Sequence, residues 1–92
     1  METGTKTWIR LHAKDNCIVA LQPLMQGQII ELGRDSVSLR ENIQPGHKVS
    51  IRAIAIGSYV TKYGWPIGIA TQAIEPGTHV HDHNLRCEHK VD

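Results

Sequence analysis

One local pattern recurs four times in this chain: an apolar residue, two residues, a glycine, two residues, an apolar residue. The copies are Leu24…Gly27…Ile30, Ile43…Gly46…Val49, Ile54…Gly57…Val60 and Ile74…Gly77…Val80. Such a unit closes one strand on an apolar residue, turns through a glycine that accepts positive φ, and opens the next strand on another apolar residue. Pro45 and Pro76 stand directly before two of these glycines, where proline presets position i+1 of a type II turn. The glycines lie 19, 11 and 20 residues apart, and the near-equal outer spacings predict two similar halves around a central segment. Chance recurrence in a β-rich chain is the competing reading of the repeat.

Alternation supports the same class. In Trp8-Ile9-Arg10-Leu11-His12-Ala13, the residues Ile9, Leu11 and Ala13 share one face of an extended chain, and Arg10 and His12 share the other. Ser36-Val37-Ser38-Leu39-Arg40 and Val49-Ser50-Ile51-Arg52-Ala53-Ile54 alternate in the same way. The expected fold is all-β, with about seven or eight short strands in a compact, bent sheet or barrel. A single domain is expected over residues 8–86, with flexible tails at 1–7 and 87–92.

Composition narrows the function classes. Ten Lys and Arg against nine Asp and Glu give a net charge of +1, without the basic excess of a dedicated nucleic-acid binder. The apolar runs are short, as in Cys17-Ile18-Val19-Ala20-Leu21, so no membrane-spanning helix is expected. Met1-Glu2-Thr3-Gly4-Thr5-Lys6 lacks the apolar stretch of a secretory signal. Cys17 and Cys87 are too few for a disulfide scaffold and lack metal-site spacing, which fits reduced thiols in a cytoplasm. Cys17 is expected in the core. At 92 residues the chain holds half of an active site more easily than a whole one.

Polar residues gather in three places. His12-Ala13-Lys14-Asp15-Asn16 follows an apolar run; Asp15 and Asn16 suit a loop, and His12 has no such local explanation. Residues 59–68 hold three of the four aromatics, Tyr59, Tyr63 and Trp65, with Lys62 and the Trp65-Pro66 pair. Two readings fit them: aromatics covering a thin core, or a rigid rim presenting Lys62 to a carboxylate or phosphate. The third cluster is His79-Val80-His81-Asp82-His83-Asn84. On an extended strand its three histidines line one face, and a His-x-His pair can chelate a metal if a third ligand joins it. Hydrogen-bonded histidines at a strand end are the alternative. No P-loop, dinucleotide fingerprint or nucleophile elbow is present.

Ile9-Arg10-Leu11-His12-Ala13-Lys14-Asp15-Asn16, Gly46-His47-Lys48, Lys62-Tyr63-Gly64-Trp65-Pro66-Ile67-Gly68 and Gly77-Thr78-His79-Val80-His81-Asp82-His83-Asn84, in this order, resemble the N-terminal domain of the altronate and galactarate dehydratase family. The resemblance spans about residues 8 to 85. It implies the SAF-type β-clip fold and a part in sugar-acid dehydration, in which a 2,3-dihydroxy acid loses water to give a 2-keto-3-deoxy acid. It implies a divalent metal, iron or manganese, held mainly by a large catalytic subunit or domain, where it would polarise the substrate carboxylate. It places His12, Asn16, Lys62, Tyr63, His81 and His83 among the catalytic residues, Lys62, His47 and Lys48 at the substrate, and His81 and His83 as metal ligands. This chain is then a small subunit or an N-terminal domain, inactive alone, with the large subunit and a sugar acid as partners. The small subunit of a sulfolactate sulfo-lyase and a non-catalytic sugar-acid-binding module are the alternatives.

Overall fold

The computed structural model describes residues 6–87, so most of the expected tails at 1–7 and 87–92 lies outside the described residues. The described chain is all-β. Nine short strands are present among the described residues: β1 (Trp8–Ile9), β2 (Cys17–Ala20), β3 (Ile29–Leu32), β4 (Asp35–Ser38), β5 (Lys48–Ser50), β6 (Tyr59–Lys62), β7 (Trp65–Ala70), β8 (His79–Val80) and β9 (Leu85–Arg86). The count slightly exceeds the expected seven or eight; β9, a pair of residues, is too short to leave a periodic signal. Every pairing is antiparallel. One sheet has the order β1-β2-β5-β8, a second is the β3-β4 hairpin, and a third has the order β6-β7-β9.

The glycine repeat generates two equivalent halves. In the first, Leu24 bridges Ile43; in the second, Ile54 bridges Ile74. Gly27 N–H donates to Leu39 O, and its counterpart Gly57 N–H donates to Ala70 O. Gly46 N–H donates to Ala20 O, and Gly77 N–H to Ser50 O. The four repeat glycines share φ values of 85–88°, the left-handed region that a side chain makes costly. At Gly77 a Cβ would also collide with the Ser38 carbonyl. Each half closes over its own apolar cluster. Ile18, Leu24, Ile30, Leu39, Ile43 and Val49 are central to one; Cys17, Ile54, Val60, Ile74 and Val80 are central to the other. The apolar positions of the repeat are thus the cores themselves, and Cys17 joins the second as expected.

Two expected strands are cut short. The alternating run 8–13 pairs with β2 only at Trp8 and Ile9. Beyond Ile9 the chain turns, with Asp15 N–H donating to His12 O at 3.0 Å. The Arg10 guanidinium holds that turn through Ala13 O and Asp15 O, both at 2.9 Å. The histidine run 79–83 is a strand only at His79 and Val80. Asn84 folds the rest: its N–H donates to His81 O, its Nδ2 donates to His79 O at 2.9 Å, and its Oδ1 accepts from His81 N–H at 3.0 Å. A side chain that satisfies a turn's backbone competes directly with strand pairing. The run 49–54 also bends after β5, so Val49, Ser50 and Ile51 are all buried and strict alternation fails there.

Candidate functional site

The structure arranges the sequence's candidate residues in two groups on either side of β2. The first is built on the β6–β7 hairpin. Tyr63 and Gly64 form its two-residue turn with φ of 64° and 78°, the left-handed pair whose twist suits a tight hairpin. Tyr63 accepts this uncommon conformation because Asp15 grips the turn. The Asp15 carboxylate is buried and accepts from Tyr63 N–H at 2.9 Å and Gly64 N–H at 2.8 Å. Asn16 extends the clamp along β6, its Oδ1 accepting from Thr61 N–H at 2.9 Å and its Nδ2 donating to Tyr59 O at 3.0 Å. Both polar ends of Asn16 are therefore engaged with backbone.

The His12 ring lies against the same turn. A Cβ on Gly64 would sit 3.1 Å from ring carbons of His12. His12 Nδ1 accepts from Lys14 N–H at 3.0 Å, which leaves the proton of a neutral ring on Nε2. Tyr59, Tyr63 and Trp65 are 56–73% exposed and do not cover the core. They stand beside half-buried Lys62, which pairs across the hairpin with Trp65. The hairpin is a rim with one cation and three aromatic surfaces.

The second group is a set of four imidazoles. β5 pairs with β8, with Val49 opposite His79, and this brings His47 alongside the histidine run. His47 stacks on His79 and His81 with ring centroids 4.9 and 5.0 Å apart; His79 lies 5.4 Å from both His81 and His83. His47 Nδ1 and His79 Nε2 share a hydrogen bond at 2.8 Å, so one nitrogen carries the proton and the other accepts it. Burial lowers the pKa of His79, and His47 adds to the effect, while the Glu41 carboxylate opposes it. Glu41 also accepts from His79 N–H at 2.9 Å. His81 and His83 stand at the exposed edge. The expected alignment of the three histidines thus comes from a turn closed by Asn84, with His47 added from a neighbouring strand.

No hydrogen bond, ring contact or ion pair among the described residues joins the two groups directly. The Cys17 thiol lies between them: its Sγ contacts Thr61 O at 3.4 Å. Burial pushes the thiol up to about 11, with smaller opposing influences from Lys48 and Lys62 and a raising one from Asp15. Lys48, in β5 beside His47, and Lys62, in β6, are therefore close enough to act on one atom.

Stacked rings aim their in-plane lone pairs side by side, not at one point, and among the described residues no group of three His, Cys, Asp or Glu could hold a metal ion. The donor set among the described residues does not by itself fit the expected divalent metal. Three structural participants had little or no sequence signal as such. Asp15 reads locally as a turn former, Asn84 as the last letter of a motif, and Glu41 as an ordinary loop acid.

A family model described as the altronate/galactarate dehydratase SAF domain matches residues 6–88. The chain is 44% identical over 79 residues to an altronate dehydratase from Escherichia coli, covering 86% of this chain and 16% of that protein. It is 35% identical over 81 residues to an altronate dehydratase from Bacillus subtilis, covering 88% and 16%. It is 34% identical over 66 residues to the alpha subunit of a (2R)-sulfolactate sulfo-lyase from Chromohalobacter salexigens, covering 71% and 70%. The match therefore spans about 16% of the length of these altronate dehydratases.

Proposed function

The chain belongs to the altronate/galactarate dehydratase SAF-domain family, and from that premise we propose that it serves as the small subunit or N-terminal domain of a sugar-acid dehydratase. The observation that carries the reading is the gathering of His47, His79, His81 and His83 into one cluster, on a domain whose relatives are named dehydratases. The reaction proposed is loss of water from an aldonate to give a 2-keto-3-deoxy acid. It removes the C2 proton and expels the C3 hydroxyl, so it needs an anion-stabilising group and a proton donor.

Lys62 supplies the first, as an ammonium facing the substrate carboxylate, with His47 and Lys48 completing the substrate contacts. His81 or His83 supplies the second, since an exposed imidazole can hand a proton to a departing hydroxyl. Asp15 and Asn16 hold the hairpin, and His12 buttresses it through Gly64. Tyr63 extends the exposed rim. The large catalytic region is the partner, and the exposed Tyr59, Tyr63 and Trp65 are apolar surfaces it would cover. The divalent metal, iron or manganese, belongs to that region, and no step assigned to this chain depends on it. The setting is the cytoplasm.

Elimination of sulfite from sulfolactate is the second reading, favoured by one observation: the match covers 70% of a sulfo-lyase alpha subunit. Co-expression with a large dehydratase region and assay of altronate, galactarate and sulfolactate separates the two. Keto-acid formation from a sugar acid supports the proposal. Sulfite release, or no turnover of any of the three by the complex, contradicts it. The purified chain alone is expected to turn over none of them.

A further inference from the structure

The first half of the fold carries a pocket that shares no residue with the histidine and lysine groups. It has a volume of about 240 Å³ and is lined by Arg10, Leu32, Asp35, Ser36, Ile51 and Arg52, among others. That is space for roughly eight water molecules at about 30 Å³ each. Leu32 and Ile51 give it apolar wall. Asp35 and Ser36 come from β4, and Arg52 from the bend after β5.

The polar groups of this pocket are short of partners. Arg52, Asp35 and Ser36 make no side-chain hydrogen bond or ion pair among the described residues. Arg10 uses Nη2 to hold Ala13 O and Asp15 O, but its Nε is buried with no hydrogen-bond partner among the described residues. Buried donors in folded proteins are nearly always paired. Two guanidiniums unmatched by internal carboxylates, around an open volume, are the chemistry of an anion site.

We propose that this pocket binds a small hydroxy-carboxylate at a site separate from the histidine and lysine surface. Two guanidiniums and one carboxylate leave a net charge of +1, which matches a monoanion. A guanidinium fork accepts a carboxylate side-on through two hydrogen bonds. Asp35 repels a doubly charged phosphate, yet its oxygens accept hydrogen bonds from ligand hydroxyls. Ser36 offers a hydroxyl that both donates and accepts. The apolar wall receives the carbon chain, so a bare inorganic anion forgoes part of the contact.

The test is an NMR amide-shift titration of the 92-residue chain with gluconate and with inorganic phosphate. Gluconate should shift the Ser36 and Arg52 amides saturably, with phosphate at least about tenfold weaker. Arg52→Gln should weaken gluconate binding about tenfold or more, since one of two charge-assisted contacts is lost. Asp35→Asn should narrow the preference over phosphate. Both side chains are exposed, so neither change threatens the fold. Lys62→Gln should leave the Ser36 and Arg52 shifts unchanged, because Lys62 does not line this pocket. Absence of saturable shifts, equal binding of phosphate by the unmodified chain, or binding lost in Lys62→Gln and kept in Arg52→Gln would overturn the proposal.

Discussion

Replacing Asp15 by alanine tests how the hairpin that presents Lys62 is held. The carboxylate is buried and accepts two backbone N–H groups, at 2.9 and 2.8 Å, from the only two residues of the turn. Hydrogen bonds to a charged acceptor contribute about 1.5–3 kcal/mol each. Their loss leaves two part-buried donors without a partner and removes the restraint that keeps Tyr63 at φ 64°. Asp15→Ala should therefore cost about 3–5 kcal/mol. A domain of 92 residues has roughly 5–14 kcal/mol in total at ~0.05–0.15 kcal/mol per residue. The loss is a large fraction of that total, and at its low end the variant stands near the limit of folding. Urea denaturation followed by tryptophan fluorescence reads the change as a lower midpoint at unchanged slope. Asp15→Asn keeps one acceptor and should fall between the two. A loss below about 1 kcal/mol in Asp15→Ala would show that the turn holds itself, and the clamp argument would fail.

Gly64→Ala should destabilise by at least about 1 kcal/mol, because the residue has φ 78° and the new methyl meets the His12 ring; an unchanged urea midpoint would count against that packing. Cys17, buried and with its thiol pushed up to about 11, should resist a thiol reagent at pH 8 until the chain unfolds, whereas exposed Cys87 reacts at once. His79 has a folded pKa below its usual 6.5, so the unfolded chain binds the extra proton first. Its contribution is complete above pH 6.5 and declines as pH falls through the folded value. His79→Gln should flatten the pH dependence of the urea midpoint below pH 6.5, and an equally steep dependence would contradict the assignment.

The fold was legible where a single residue reports on both sides of a turn. Gly27, Gly46, Gly57 and Gly77 mark where the chain must take positive φ, and the apolar residues three positions either side are the cores. Ser36–Arg40 was legible because only one face is buried, with Val37 and Leu39 inside. The run 8–13 misled because alternation registers polarity but not the Arg10 guanidinium folding the chain back through Ala13 O and Asp15 O. At the candidate site, the company of His79, His81 and His83 was visible from their spacing. The entry of His47 was not, since it depends on the register of β5 against β8. Asp15 shows the same limit: its partners lie 48 and 49 residues away, beyond any local pattern.

The proposed role, in which this domain contributes a cation and an imidazole to a dehydratase completed by a larger region, is tested most directly by kcat of the complex for altronate, with Lys62→Ala and His81→Ala introduced one at a time. Neither residue lies in an apolar core cluster, so both variants should fold and still bind the large region. Each should lower kcat by about 10²-fold or more, the usual effect of removing a charge-stabilising or proton-transferring group. Unchanged kcat in both variants would contradict the claim and leave the two residues as parts of a hairpin and a turn.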